Sequence, residues 1–362
     1  MTDPNTSFLF EGFEEFYSEH FNYTDYENTT GYDLDEKTLL CDPVSIAHGV
    51  NVAVCVFCAL IFLVAIPGNV IVGLVIAFNR RVLSPSDVYL FHLVLADLLL
   101  ALCLPFFSAS LLRGWVFGDA LCKMFSLMVE ISFYSSILFL ACISVDRYLV
   151  IVWAMEVRKT QRRQYSWVIS GAVWFLGVAL SLPALHSKTF KYRSDDPLMC
   201  TEHFTAEKAD EWRLATRLLR QILGFLVPLT IMLVCYGITV ARLLRTRGFR
   251  RQRAMRVIVA VVVAFLVCWM PYHIAVMADT LLRSKAVGNN CQTRSIVDAV
   301  MFATQSLGLM HCCVNPVLYA FVGEKFRKNL RVFYHRRVLD RSSVSRASRS
   351  TSQTSDHNST LL

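Results

Sequence analysis

Residues 140–152 read LACISVDRYLVIV, an apolar run that ends in two adjacent charges, Asp146 and Arg147. A charged side chain near lipid costs about 2.5–3.5 kcal/mol or more, and proteins keep such residues mainly for function. The run before these charges, residues 124–145, contains Glu130 as its only charged residue. It is about as long as the roughly 20 apolar residues that a membrane-spanning helix needs. We therefore predict a membrane helix that ends in a functional pair of charges.

Six further stretches have this length and composition, and five of the seven contain no Asp, Glu, Lys or Arg. Hydrophobic residues make up 55% of the 362-residue chain and charged residues only 18%, a balance too apolar for most soluble domains. These features predict an all-α membrane protein, a bundle of seven helices that spans the lipid bilayer. The predicted spans, first to seventh, are 50–78, 88–112, 124–145, 165–185, 221–241, 257–278 and 299–322.

Basic residues indicate the orientation of the bundle. Alternate connections between spans are rich in arginine, with seven Arg from Arg242 to Arg256, whereas residues 1–40 hold ten acidic residues and a single Lys37. Lys and Arg concentrate in cytoplasmic connections, so the N-terminus is predicted outside and the C-terminus inside. Residues 1–40 lack the basic start and compact apolar region of a signal peptide.

Composition divides the chain into four segments. An acidic extracellular tail is predicted at 1–44, the seven-span domain at 45–322, an amphipathic eighth helix on the inside at 323–334, and a Ser/Thr-rich cytoplasmic tail at 335–362. The extracellular tail contains three sequons, which predict N-linked glycans on Asn5, Asn22 and Asn28.

Four of the twelve cysteines, Cys41, Cys122, Cys200 and Cys291, fall in predicted outer segments. The oxidising exterior favours disulfides there, and four cysteines permit three pairings. The other eight lie within the spans, where they are predicted to pack as small apolar residues.

Each span also carries a characteristic motif or polar residue. Asp146-Arg147-Tyr148 ends the third span, CWMP occupies 268–271 of the sixth, and NPVLY occupies 315–319 of the seventh. The others are Gly68-Asn69-Val70 in the first span, Leu95-Ala96-Asp97 in the second, Trp174 in the fourth, and Pro228 with Tyr236 in the fifth. The whole set, in this order, resembles the rhodopsin-like G-protein-coupled receptors over residues 45–335.

The resemblance implies a switch between two conformations. Pro271 and Pro316 each remove a helical hydrogen bond and bend their helices. Asp146 and Arg147 are expected to pair at rest, and Arg147 is freed to face a heterotrimeric G protein when the sixth helix swings out. The expected activation residues are Asp146, Arg147, Tyr148, Tyr236, Trp269, Pro271, Asn315, Pro316 and Tyr319.

Asp97 lies at mid-membrane and needs polar partners, for which Asn69, Ser136 and Asn315 are the candidates. In the resembled family this cluster holds a sodium ion in the inactive state. The resemblance therefore implies a sodium site at Asp97, Ser136 and Asn315, and no other cofactor. The alternative is that hydrogen bonds alone hold Asp97.

The resemblance narrows to the chemokine receptors. The runs FYSSILFLACISVDRYL (133–149), CWMPYHIAVMADTLLR (268–283) and HCCVNPVLYAFVGEKFR (311–327) are similar to CXC chemokine receptors of the interleukin-8 receptor type. This implies a plasma membrane receptor for a CXC chemokine that signals through inhibitory-type G proteins to drive leukocyte chemotaxis. It also implies the disulfides Cys122–Cys200 and Cys41–Cys291.

Charge supports a basic protein ligand independently, because a flexible anionic tail steers a cationic partner. Tyrosines flanked by acidic residues in this tail are candidate sulfation sites. The candidate ligand-binding residues are Tyr17, Tyr23, Tyr26 and Tyr32 in the tail and Glu130, Arg217, Asp279, Arg283 and Gln305 around the outer mouth. The chain departs from the family at Gln305, usually Glu, and at Cys103, usually Thr. Val129 replaces a Lys common in the nearest group, which leaves Glu130 without that neighbour.

The C-terminal tail is predicted to bind arrestin after phosphorylation by receptor kinases, because each phosphate adds about −1.5 to −2 charges. The candidate phosphorylation sites are Ser342, Ser343, Ser345, Ser348, Ser350, Thr351, Ser352, Thr354 and Ser355.

Other classes of protein fit less well. No HExxH, GxSxG or phosphate-binding glycine loop occurs, so no enzyme is predicted. The seventh predicted span contains no lysine for retinal, and no nucleic acid partner is indicated. A scavenging receptor that binds chemokines without a G protein, and a receptor for another peptide, remain alternatives. The intact Asp146-Arg147-Tyr148 motif favours signalling.

Overall fold

The computed structural model describes residues 47–78, 83–153, 159–191, 197–204, 209–244, 249–283, 291–322, 327–328 and 330–332. Seven helical segments in these ranges are long and apolar enough to cross a membrane, which confirms the predicted seven-helix bundle. The helices are α1 (His48–Phe78), α2 (Pro85–Arg113), α3 (Gly118–Ile151), α4 (Lys159–Leu180), α5 (Ala209–Gln221), α6 (Val227–Leu244), α7 (Phe249–Arg283), α8 (Cys291–Leu309) and α9 (His311–Val322).

Two spans consist of two helices each. A π-helical turn, Ile222–Leu226, joins α5 to α6 in the fifth span, and α8 and α9 adjoin at Met310 in the seventh. Residues 327–328 and 330–332 are also helical, where the eighth helix was predicted.

Local sequence fixes the ends of α2. Ser84 is the N-cap, and its side chain accepts a hydrogen bond from the Asp87 backbone N–H. In return, the Asp87 carboxylate accepts a hydrogen bond from the Ser84 backbone N–H. This reciprocal capping box satisfies two backbone donors that a helix start leaves open. At the other end Gly114 has a φ of 72°, a left-handed value that glycine adopts without steric cost. Both ends are therefore set by short-range chemistry.

The fifth span begins earlier than predicted. The apolar stretch starts at residue 221, but helix α5 starts at Ala209. Three arginines in this added segment, Arg213, Arg217 and Arg220, are buried, each less than 10% exposed. A hydropathy pattern cannot reveal such a segment, because its polar side chains pack inward against other helices instead of facing water.

A short antiparallel hairpin covers one end of the bundle. Strands β1 (Ser187–Phe190) and β2 (Met199–Glu202) pair in register, with Thr189 opposite Cys200. The Cys122–Cys200 disulfide ties β2 to the start of α3, and Asp119 accepts a hydrogen bond from the Thr189 backbone N–H at 2.8 Å. We call this end of the bundle the disulfide end and the end that carries Asp146 the opposite end.

The outer surface of the bundle is apolar. Large side chains such as Leu63, Val168 and Phe175 are exposed by 67%, 71% and 78%. Water would penalise this exposure, whereas lipid does not. The polar residues Asp97, Ser132 and Asn315 are instead buried inside the bundle.

Candidate ligand and signalling sites

A cavity lies among the second, third and seventh spans at the disulfide end. Two predicted ligand residues, Glu130 and Gln305, line it. The other described residues that line this first cavity are Cys103, Leu104, Phe107, Phe125, Ser126, Val129 and Leu309. It is thus a mostly apolar pocket with a few polar groups, as ligand pockets generally are.

A buried ion pair joins the fifth and sixth spans beside this region. Arg217 Nη1 lies 2.6 Å from Asp279 Oδ2 and also donates to Thr280 Oγ1 at 3.4 Å. The structure thus brings together two residues that the sequence predicted for ligand binding without indicating that they would pair. The side chain of Arg283, one turn further along α7, lies outside the described part of the chain.

Glu130 has a cationic partner that the sequence did not predict. Arg220 Nη2 donates to Glu130 Oε1 at 2.5 Å, and Arg220 Nε donates to Oε2 at 3.3 Å. Arg220 Nη2 also lies 3.7 Å from Glu202 Oε1 of strand β2. The loss of the family's lysine at Val129 therefore does not leave Glu130 without a cation, because Arg220 supplies one from another helix. The available sequence signal was the spacing of Arg213, Arg217 and Arg220, which places them near one face of a helix.

The structure describes both cysteines of one of the two expected disulfides and one cysteine of the other. Cys122 bonds Cys200, as predicted. Cys291 is also disulfide-bonded, and its predicted partner, Cys41, lies outside the described residues. The candidate tail tyrosines Tyr17, Tyr23, Tyr26 and Tyr32, the glycosylation sites and the phosphorylation sites lie outside them as well.

The centre of the bundle holds Trp269 in an aromatic cluster. Its ring centroid lies 5.0 Å from that of Phe133, and a Cβ atom at Gly308 would lie 2.9 Å from the Trp269 ring. Glycine therefore lets the Trp269 ring approach the backbone of α8. Pro271 lies two residues further along α7, next to this tightly packed ring.

Polar contacts between Gln221 and His273 also link the fifth and sixth spans. Gln221 Nε2 donates to the His273 backbone carbonyl at 2.9 Å, and the Gln221 side-chain carbonyl lies 2.9 Å from His273 Nδ1. The His273 ring stacks on Phe225, with centroids 3.9 Å apart. The start of the π-helical turn is thus joined to α7 just beyond Pro271.

Asp97 is fully buried, and its partners differ in part from those expected. Asn315 Nδ2 donates to Asp97 Oδ2 at 2.7 Å, as predicted. Asn69 instead donates to the Ala65 and Cys312 carbonyls, and Ser136 Oγ is buried without a hydrogen-bond partner. The partner that the sequence missed is His311, whose Nε2 lies 3.0 Å from Asp97 Oδ1 without hydrogen-bond alignment.

The donor set around Asp97 fits a sodium ion in kind. Hard cations prefer oxygen ligands, and Asp97 Oδ1 and Ser136 Oγ are both buried oxygens, although His311 Nε2 already lies 3.0 Å from Asp97 Oδ1. The Asn315 amide already donates to Asp97 Oδ2, so that side chain orients the carboxylate.

At the opposite end of the bundle, the described contacts give Asp146 a partner that the sequence did not predict. Asp146 is buried and accepts a hydrogen bond from Ser86 Oγ, and the ion pairs found among the described residues do not include one between Asp146 and Arg147. Arg147 Nε is buried, and no described residue forms a hydrogen bond with it. A hydroxyl from α2 thus competes for the carboxylate that the sequence assigned to Arg147.

Two tyrosines surround Arg147. The buried Tyr236 hydroxyl lies close to Ser144 and within electrostatic reach of Arg147. Tyr148 accepts a hydrogen bond at its hydroxyl from Trp153 Nε1 at 2.9 Å. Tyr319 lies in α9 after Pro316, and its side chain is outside the described part of the chain.

Comparison with known proteins defines the class and then the family. Residues 68–319 match the family model described as 7 transmembrane receptor (rhodopsin family), so the chain belongs to this receptor class. Within it, the chain belongs with the CXC chemokine receptors of the interleukin-8 receptor type, which confirms the resemblance seen in the sequence. It is therefore a multi-pass protein of the plasma membrane and a member of a receptor family, not of an enzyme family.

The similar proteins cover most of the chain. C-X-C chemokine receptor type 2 of Homo sapiens is 43% identical over 325 residues, which is 89% of this chain and 89% of that protein. C-X-C chemokine receptor type 2 of Mus musculus is 45% identical over 278 residues, 77% of each chain. C-X-C chemokine receptor type 1 of Homo sapiens is 45% identical over 269 residues, 74% of this chain and 76% of that protein.

Proposed function

We propose that this chain is a cell-surface receptor for CXC chemokines that signals through inhibitory-type heterotrimeric G proteins to drive leukocyte chemotaxis. The N-terminal tail lies outside the cell and the eighth helix inside. The names of the similar receptors support the ligand class. The observation that carries the signalling proposal is that one helix, α3, bears Glu130 at the ligand cavity and Arg147, with its unpartnered Nε, at the opposite end. These residues lie about 25 Å apart along the helix at 1.5 Å per residue.

The chemokine would act by shifting a population of two conformations. Its contacts at the disulfide end change the spacing of the fifth and sixth spans, which the Arg217–Asp279 pair now fixes. The bend at Pro271 lets the far end of α7 move outward, because proline lacks the N–H that would complete the helical hydrogen bond there. The G protein then contacts Arg147 in the space that opens.

The acidic tail would make the first contact with the ligand. Its negative charges attract a basic chemokine over a distance set by ionic strength, which raises the association rate. Sulfation of Tyr17, Tyr23, Tyr26 or Tyr32 would add further negative charge. Residues of the cavity would then bind the part of the chemokine that enters the bundle.

A sodium ion held by Asp97 and Ser136 would supply a positive charge beside the buried carboxylate in the inactive state. Asn315 would keep Asp97 oriented toward it, through the hydrogen bond already present. Movement of the seventh span would carry Asn315 away and weaken this arrangement.

The phosphorylated C-terminal tail would bind arrestin and end the signal. Phosphates convert a basic strip into an anionic one that basic grooves can bind. Truncation after Arg341 removes all nine candidate sites, and it is expected to abolish arrestin recruitment and prolong signalling. Unchanged arrestin recruitment would refute this part of the proposal.

Cells that express the full chain test the proposal directly. A panel of fluorescently labelled CXC chemokines is applied, with untransfected cells as the control, and nucleotide exchange on an inhibitory-type G protein is measured alongside binding. We expect saturable binding of at least one chemokine together with stimulated exchange. Binding and uptake without exchange would instead identify a scavenging receptor, and no binding across the panel would favour another peptide ligand.

A further inference from the structure

Glu130 stands between two cavities at the disulfide end. It lines the first cavity and also a second, smaller cavity among the third, fourth and fifth spans. Arg220 and Glu202 line only the second. The same carboxylate can therefore be approached from two sides, and Arg220 approaches it from the second cavity.

Glu130 is the only charged side chain among the described residues that line the first cavity. Gln305 contributes a neutral amide on the facing helix. Attraction of a cationic ligand group into this cavity therefore depends on the charge of Glu130. A positive charge that neutralises Glu130 from the second cavity therefore controls the attraction of a cationic ligand group into the first.

Arg220 holds both oxygens of the Glu130 carboxylate, at 2.5 and 3.3 Å. Paired contacts of a guanidinium with a carboxylate are among the stronger hydrogen bonds in proteins. Both side chains are about one-tenth exposed, so water screens the interaction little. A cation that enters the first cavity must compete with this contact.

Glu202 offers a position to which Arg220 can shift. Its Oε1 lies 3.7 Å from Arg220 Nη2, so a guanidinium that leaves Glu130 stays beside a carboxylate. Glu202 belongs to strand β2 next to the Cys122–Cys200 disulfide. Displacement of Arg220 would thus move it toward the hairpin that covers the disulfide end.

We propose that Arg220 is a specificity-determining residue of the ligand site, an internal cation that a basic group of the ligand must displace from Glu130. This inference rests on the proposed function as a chemokine receptor. As a consequence, the receptor would select ligands by how strongly their basic group contacts Glu130. A basic group that binds Glu130 weakly cannot replace the paired Arg220 contact, whereas a well-positioned ligand guanidinium can.

The test compares chemokine affinity in four forms of the full-length receptor: the parent, Arg220→Gln, Glu130→Gln and the double variant. The probe is the labelled CXC chemokine that the parent binds most tightly, measured at matched surface expression. Arg220→Gln leaves Glu130 without the paired Arg220 contact, so affinity should rise about three- to tenfold. The double variant should lose this gain, because the gain requires Glu130.

Arg217→Gln is the matched control. It removes the same charge from the same helix and breaks a buried pair, but with Asp279 instead of Glu130. We expect no gain in affinity from Arg217→Gln, because Glu130 keeps its paired contact with Arg220. Unchanged or weaker binding by Arg220→Gln, or an equal gain in the double variant, would overturn the inference.

Arg220→Lys covers the case in which Arg220→Gln does not reach the surface. Lysine keeps the positive charge but makes a point contact, not a paired one, so the gain should have the same sign and be smaller. Absence of any gain in this variant at matched surface level would also overturn the inference. A parent that binds no chemokine of the panel would instead refute the proposed function on which the inference rests.

Discussion

The charged side chains near the two ends of helix α3 have different kinds of partner. At the disulfide end Glu130 is bound by Arg220 at 2.5 Å, and the neighbouring Arg217 is bound by Asp279 at 2.6 Å. At the opposite end Arg147 has a buried Nε without a hydrogen-bond partner, although Asp146 is its immediate neighbour in sequence. Arginine is ion-paired where a ligand would enter and is not held by Asp146 where a G protein would bind.

This difference separates two kinds of energetic effect. A buried ion pair that loses one partner leaves a charge without compensation, which is strongly destabilising. Substitutions at the disulfide end should therefore change stability and ligand affinity together. No ion pair of Arg147 is found among the described residues, so its replacement should mainly affect the proposed G-protein partner and change stability less.

The largest effect is expected from Arg147→Ala. Chemokine affinity should stay within about twofold of the parent, while ligand-stimulated G-protein activation should fall by two orders of magnitude or more, since the group that meets the G protein is gone. Both quantities are measured at matched surface expression. Normal activation by this variant would show that Arg147 only anchors the membrane edge.

The next effect concerns the stability of the disulfide end. Asp279→Asn should lower the free energy of unfolding by about 3–5 kcal/mol, because Arg217 is left buried with a neutral partner. The paired replacement Arg217→Met with Asp279→Leu should regain most of this loss, since neither charge remains.

Thermal unfolding of the purified full chain in detergent measures these changes. The exposed Arg113→Gln serves as the control and should change stability by less than about 0.5 kcal/mol. Equal destabilisation by the single and paired variants would mean that the ion pair itself is not what the single variant disrupts.

A smaller effect tests the competition for Asp146. Ser86→Ala removes the hydroxyl that donates a hydrogen bond to Asp146. Its loss favours an Asp146–Arg147 pair. Chemokine potency in G-protein activation should therefore fall by up to about tenfold, near 1.4 kcal/mol. Asp146→Asn removes the carboxylate and should raise ligand-free activation. Ligand-free and stimulated nucleotide exchange report both changes, and shifts in the same direction would contradict the competition.

The smallest effect is expected in the tail. Neutralising the acidic residues from Glu11 to Asp35 should slow chemokine association a few-fold at low salt and less at high salt, because added ions shorten the range of attraction. The dissociation rate should change little. Association rates that depend on neither tail charge nor ionic strength would exclude electrostatic steering.

Several features could be predicted because they depend on short-range chemistry. The seven spans follow from the absence of charge over about 20 residues, a requirement that lipid imposes on every membrane helix. The positions of Pro271 and Pro316 inside their helices also follow from the sequence, whereas the bends expected there stay a prediction. The pairing of Cys122 with Cys200 followed from the family resemblance, since spacing alone left three possibilities open.

Other features could not be predicted, because they depend on which helices meet. Hydropathy placed the start of the fifth span at residue 221, whereas the helix starts at Ala209. Asn69 and Ser136 were expected to contact Asp97, but Asn69 binds backbone carbonyls and His311 approaches Asp97 instead. Polar residues of similar chemistry lie on several helices, and sequence does not state which of them face one another.

The sequence by itself determined that this protein is a seven-span receptor of the chemokine family, because lipid solvation and the order of its motifs constrain every span. The tertiary structure alone decided the partners of the buried charged side chains: Arg220 for Glu130, Asp279 for Arg217, and the Ser86 hydroxyl for Asp146. Each of these contacts joins different helices. Their formation depends on the rotation and spacing of packed helices, which side-chain packing throughout the bundle sets and no local pattern encodes.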